Sequence, residues 1–124
     1  MRRIEISEPA LLIRIPRLFN ERMSEQALYE ATRGVWKIGT RRDGVEIALA
    51  VVGGVVQEVY AVRAWHASGS TAYSTRTPQE THIDGRWEFS GVVAPESIRS
   101  KYLGNSVAHY FSRGASNPIT YVNV

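Results

Sequence analysis

The chain contains no cysteine. Disulfides and thiolate-held metal sites are therefore excluded, and stability has to come from packing and hydrogen bonding. It also lacks any apolar run near the ~18–20 residues that a membrane-spanning helix needs. Its most apolar early stretch, Ala10–Ile15, is short and is interrupted by Arg14. Arg2 and Arg3 are not followed by an apolar segment with a small-residue cleavage site, so the expectation is a soluble, cytoplasmic protein without a membrane partner. No Gly-x-Ser-x-Gly elbow is present, which removes the usual setting of an α/β-hydrolase nucleophile. Gly53-Gly54 has no P-loop lysine beside it, so no phosphate cradle for a nucleotide is indicated. The last 26 residues, 99–124, hold no acidic side chain at all.

What remains describes one domain of ordinary size: 124 residues, 44% of them hydrophobic. The net charge is only +3, but the signs are segregated along the chain. Residues 1–42 carry nine Lys/Arg against five Asp/Glu, residues 43–98 carry three against seven, and residues 99–124 carry three against none. A segregated basic surface on a small domain points to a polyanionic partner, with RNA or DNA first among them.

The local patterns predict a sequence of short elements. Ala10–Pro16 reads as a strand that ends at its proline. Ser24 caps a short amphipathic helix over Glu25–Arg33, with Gly34 after its end. Val35–Gly39 reads as a second strand, and Thr40–Gly44 as a turn marked by Asp43-Gly44. Ile47–Val52 is apolar on both alternating faces, so it is expected to be covered on both sides. Gly53-Gly54 makes a two-residue hairpin to Val55–Trp65. Neither face of that strand is purely apolar, which predicts a bulge or a bend. Ala67–Gly85 is a long polar stretch rich in Ser and Thr. Arg86–Val93 alternates, with Trp87, Phe89 and Gly91 on one face and Arg86, Glu88 and Ser90 on the other. Pro95 opens a helix that Gly104 closes, Ser106 caps a last helix bearing a Val107, Tyr110 and Phe111 stripe, and Ile119–Val124 is a final strand. The expected fold is α+β: a small, partly closed, mainly antiparallel β-barrel with three short helices packed outside.

Three segments carry a family resemblance: Ser24–Gly39 (SEQALYEATRGVWKIG), Ala48–Trp65 (ALAVVGGVVQEVYAVRAW) and Arg86–Ala94 (RWEFSGVVA). In layout they resemble the PUA-like superfamily, which includes ASCH, EVE and YTH domains. The same stretch is similar to an uncharacterised bacterial domain associated with GIY-YIG-type nuclease proteins, although the GIY and YIG motifs are absent around Lys37-Ile38-Gly39. The PUA-like resemblance implies binding of RNA or modified DNA in a cleft beside the barrel. In its YTH and EVE branches an aromatic cage holds a modified or flipped base, and Trp36 and Trp65 are the nearest counterparts here.

The candidate phosphate contacts are Arg33, Lys37, Arg41 and Arg42, joined by Arg99, Lys101 and Arg113 on the two C-terminal helices. A solvated charged surface is the competing reading for both sets. Trp87, paired with Phe89, is expected in the core. Trp65 ends its strand just before the polar stretch and is followed by His66, so it is expected at a pocket mouth with Trp36 as an alternative. Hydroxyls of the polar stretch would then read the edge of a stacked base, and His66 and Arg76 are counted with the nucleic-acid-binding residues. His66, His82 and Asp84 have no spacing that requires a metal, and no cofactor is expected. Two other functional classes stay open: a small hydrolase or nuclease using His66, Arg76, His82 and Asp84, or a protein-interaction domain.

Overall fold

A computed structural model describes residues 1–16, 23–114 and 116–124. Its five strands are β1 (Ala10–Arg14), β2 (Ile47–Val52), β3 (Val55–Ala67), β4 (Trp87–Val93) and β5 (Ile119–Val122). Its helices are α1 (Glu25–Arg33), the single turn α2 (Pro78–Thr81) and α3 (Glu96–Tyr102). The class is α+β, and the strands form one mainly antiparallel sheet in the order β4-β3-β2-β1-β5. Only β1 and β2 run parallel, with α1 in the connection between them. The sheet is not closed: β4 and β5 are its outer strands.

Both faces of the sheet are covered, because the central strands are apolar on both sides. One core gathers Leu12, Ile47, Leu49, Val51 and Val59 under Tyr102 of α3 and Val107. The other gathers Leu11, Ile13, Ala48, Ala50, Tyr60 and Phe89 under Leu28, Tyr29 and Ala31 of α1. The expected two-sided burial of β2 is seen residue by residue, with Ile47–Val51 fully inside.

The mixed pattern of β3 has a specific cause. Its pairing with β2 skips Gln57, since Ala50 opposes Glu58 and Val51 opposes Val56. Its pairing with β4 skips Arg63, since Val62 opposes Gly91 and Ala64 opposes Ser90. Each extra residue reverses which parity faces which core. Val59 and, across the first bulge, Val56 join the α3-side core. Tyr60, Val62 and, across the second bulge, Trp65 join the α1-side core.

Several local expectations hold in detail. The Ala27 N–H donates to Ser24 Oγ at 3.0 Å, capping α1. Gly53 and Gly54 both have positive φ, 58° and 80°, as a type I′ hairpin turn requires. Gly104 follows α3 with φ 77°. Other expectations are corrected. Val35–Gly39 is not a strand; only Trp36 pairs, exchanging two 2.9 Å backbone hydrogen bonds with Trp87, and the chain then turns into a 3-10 turn at Thr40–Gly44. The helix expected after Ser106 is a 3-10 turn at Ala108–Tyr110, although Val107, Tyr110 and Phe111 still pack on the core. Gly34 is extended, not left-handed, with φ −171°. Glycine is needed there for room: a Cβ would lie 2.5 Å from the Tyr73 hydroxyl and 3.0 Å from Glu88 Cβ. Among the described residues no helix is long and apolar enough to cross a membrane.

Candidate functional site

The polar stretch after β3 is sewn down by two carboxylates that are inside the protein. Glu30 of α1 is 1% exposed and Glu88 of β4 is 0% exposed. Glu30 accepts the backbone N–H and hydroxyl of Ser74 and of Thr75, and the side-chain amide of Gln26 at 2.6 Å. Burial alone would raise the Glu30 pKa, but these hydrogen bonds outweigh it and hold the carboxyl far below its usual range. Glu88 accepts the N–H groups of Gly69 (3.1 Å) and Thr71 (2.9 Å), and the hydroxyls of Thr71 and Tyr73. Arg33 closes this network. Its guanidinium donates to Thr71 Oγ1 at 2.7 Å and to the Ala72 carbonyl at 2.8 Å, and lies 3.8 Å over the Tyr73 ring.

This sewing positions one wall of a cleft of about 440 Å³. The cleft lies between α1, the end of β1, the 34–36 segment and residues 75–86. Its apolar lining comes from Ile15, Ala27, Ala31, Val35, Trp36 and Ile83. The Trp36 indole N–H is spent on the Thr32 carbonyl at 2.8 Å, so Trp36 offers the cleft ring surface only. The charged lining is Arg14, Arg76, Arg86 and Glu80. Arg76 is fixed by donating to the carbonyls of Glu30 (3.0 Å) and Gly34. The Arg86 side chain is exposed and makes no hydrogen bond or ion pair among the described residues. Glu80 takes the Thr77 N–H (3.2 Å) and hydroxyl (3.1 Å) on one oxygen. Those two bonds hold its carboxyl below the ordinary range, so it is an acceptor at neutral pH.

The residues singled out from the sequence fall into three groups. Trp36 and Arg76 line the cleft. Lys37, Arg41 and Arg42 lie next to it in sequence, on the segment that leaves Trp36. Lys37 is exposed and makes no hydrogen bond or ion pair among the described residues. The Arg42 guanidinium lies 3.5 Å over the ring of Trp87, the pairing partner of Trp36, and Arg41 lies 4.4 Å over Tyr121. The remaining five are engaged elsewhere. Arg33 is 4% exposed and held in the Glu88 network. Arg99 makes a 2.7 Å ion pair with Glu58, and Lys101 a 2.8 Å pair with Glu8. His66 Nε2 is 2.9 Å from Ser90 Oγ. Trp65 packs edge-on against Phe89, with ring centres 5.4 Å apart, and does not line the cleft. Trp87, expected in the core, is half-buried beneath Arg42.

No family model, curated protein or solved structure matches this chain. What the site can do therefore rests on its own chemistry. An apolar slot with one indole wall suits a planar ring, and guanidinium groups beside it suit an anion. Among the described residues no group of three His, Asp or Glu side chains could hold a metal ion, and His66 Nε2 lies beside Ser90 Oγ. Sequence reasoning missed Arg14, Arg86 and Glu80. The one available signal was the Thr77–Glu80 spacing of a capping box, with Pro78 at the first helical position.

Proposed function

We propose that this domain is a nucleic-acid-binding module of the PUA-like kind that receives an unpaired or modified base of RNA or DNA in the cleft beside Trp36. The observation that carries the reading is the cleft itself: a ring-sized apolar slot walled by Trp36, with Arg76 and Arg86 among its lining. The neighbouring Lys37, Arg41 and Arg42 extend the same basic character toward phosphates on either side. The two bulges of β3 support a curled sheet of the PUA-like sort, since each bulge bends its strand and increases the twist.

The test is a salt titration with a fluorescent single strand. Three to five phosphate contacts give log K falling against log salt with a slope of about −2 to −4. Binding that ignores salt, or no binding at low salt, overturns the reading.

A further inference from the structure

A cleft of about 440 Å³ is larger than a single ring requires. It falls in the range that encloses a whole small molecule, ~300–1,000 Å³. Its described lining is also cationic, with Arg14, Arg76 and Arg86 against one carboxylate, Glu80. Glu80 is ion-paired with Arg76 Nε at 3.7 Å, so it offsets one of the three charges and leaves a positive excess. Arg76 is immobilised through Nη1, which donates to the carbonyls of Glu30 (3.0 Å) and Gly34. Its Nη2 makes no hydrogen bond among the described residues and is not buried. Arg86 is held by its backbone: its N–H donates to the Ile83 carbonyl and its own carbonyl accepts from the Ser68 N–H. Its side chain has no partner among the described residues. The cleft therefore sets one fixed guanidinium edge and one unpaired guanidinium in the same lining as the Trp36 ring.

We infer that this cleft receives the phosphorylated terminal nucleotide of a strand, with its base on Trp36 and its terminal phosphate on Arg76 and Arg86. The inference rests on the nucleic-acid reading above. A base everted from within a strand enters alone, and its phosphates stay at the rim as part of the continuous backbone. Guanidinium groups set in the lining itself serve a nucleotide that enters whole. A chain end enters whole without drawing in the strand on both sides. Its phosphomonoester carries about −1.5 to −2 charge and three strong acceptor oxygens, more of each than an internal diester. It can therefore accept charge-assisted hydrogen bonds from both guanidinium groups at once. A phosphate at the 5′ end and one at the 3′ end offer this same chemistry.

The experiment follows fluorescence anisotropy of internally labelled 8-nucleotide single strands across a salt titration. The strands end in a 5′-phosphate, in a 3′-phosphate, or in hydroxyls only. A 10-nucleotide strand with hydroxyl ends carries about the same charge as the phosphorylated ones, which holds general attraction to a basic surface constant. A phosphorylated strand is expected to bind about tenfold more tightly than either hydroxyl-ended strand, in the range for hydrogen bonds to a charged group. The 5′ and 3′ arms tell which end enters. The decisive variant is Arg86→Ala, which removes a side chain without a partner among the described residues. It should lose most of the preference for a phosphorylated end at an unchanged melting temperature. The double variant Arg41→Ala, Arg42→Ala should weaken all strands alike and keep that preference. Equal binding of the phosphorylated and charge-matched strands, or an undiminished preference in Arg86→Ala, overturns the inference and leaves single-strand binding standing. No salt-sensitive binding of any strand overturns both.

Discussion

Glu30 is a single residue whose ionisation the fold depends on. Its folded pKa is depressed, so its stabilising contribution is complete above the unfolded carboxylate value of about 4.3 and is lost as pH falls below it. The urea midpoint of wild type should therefore begin to drop below about pH 5 and keep falling through the acid range as far as the depressed folded pKa. Glu30→Gln should be less stable at neutral pH by about 1.5–3 kcal/mol, the range for a charged hydrogen bond, and should show a flatter acid limb. The two tryptophans give a second residue-scale contrast. Trp36→Ala is expected to weaken binding of a single strand by about 1–3 kcal/mol, one lost stack. Trp65→Ala is expected to leave binding unchanged and to lower stability by about 3 kcal/mol through the hole it leaves beside Phe89. Trp65 was expected at a pocket mouth because it ends its strand just before the polar stretch and is followed by His66. The unpaired Arg63 reverses the parity and turns Trp65 inward. Ser24 and Gly53-Gly54 were legible because their effect lies within three residues. Glu30, Glu88 and Arg33 were not, because the backbone groups and hydroxyls they serve lie 15–56 positions away.

Among the elements, β4 shows how an outer strand is kept from pairing further. Its free side is taken up in three places: Trp36 pairs with Trp87, Arg33 donates to the Phe89 carbonyl, and the Gly91 N–H donates to the Tyr29 hydroxyl. All three partners come from α1 or the residues just after it, so the helix does for this edge what a sixth strand would do. The five-residue apolar alternation of VWKIG suggested a strand for the same physical reason. It lies along a strand edge, but only one of its residues reaches hydrogen-bonding distance. Gly91 has its own constraint, because a Cβ there would overlap the Ala61 carbonyl oxygen across the second bulge. Gly91→Ala should cost about 1–3 kcal/mol by forcing β4 away from β3, read as a lowered melting temperature.

At the scale of the whole molecule, the charge segregation seen along the chain is not the segregation seen in space. The acid-free stretch from residue 99 onward looked like a basic surface, yet Arg99 and Lys101 are neutralised by Glu58 and Glu8 from earlier segments. Near the cleft, Lys37, Arg41, Arg42 and Arg86 have no carboxylate partner among the described residues. Replacing Arg41 and Arg42 together by alanine should reduce the salt slope of single-strand binding by about one to two units. A circular dichroism melt should show the variant still folded, with a modest loss from the broken stacks on Tyr121 and Trp87.

The sewn-down stretch from Gly69 to Thr81 also bears on how the protein meets a protease. A polar connection of this length is ordinarily where a chain is nicked first, because cleavage needs an extended, detachable backbone. Here the one trypsin target within it, Arg76, has its guanidinium bound to two carbonyls and its backbone tethered by the Glu30 clasp just before it. Cutting after Arg76 therefore requires that clasp to open first, so the digestion rate at this bond reports directly on how often the wall of the cleft lets go.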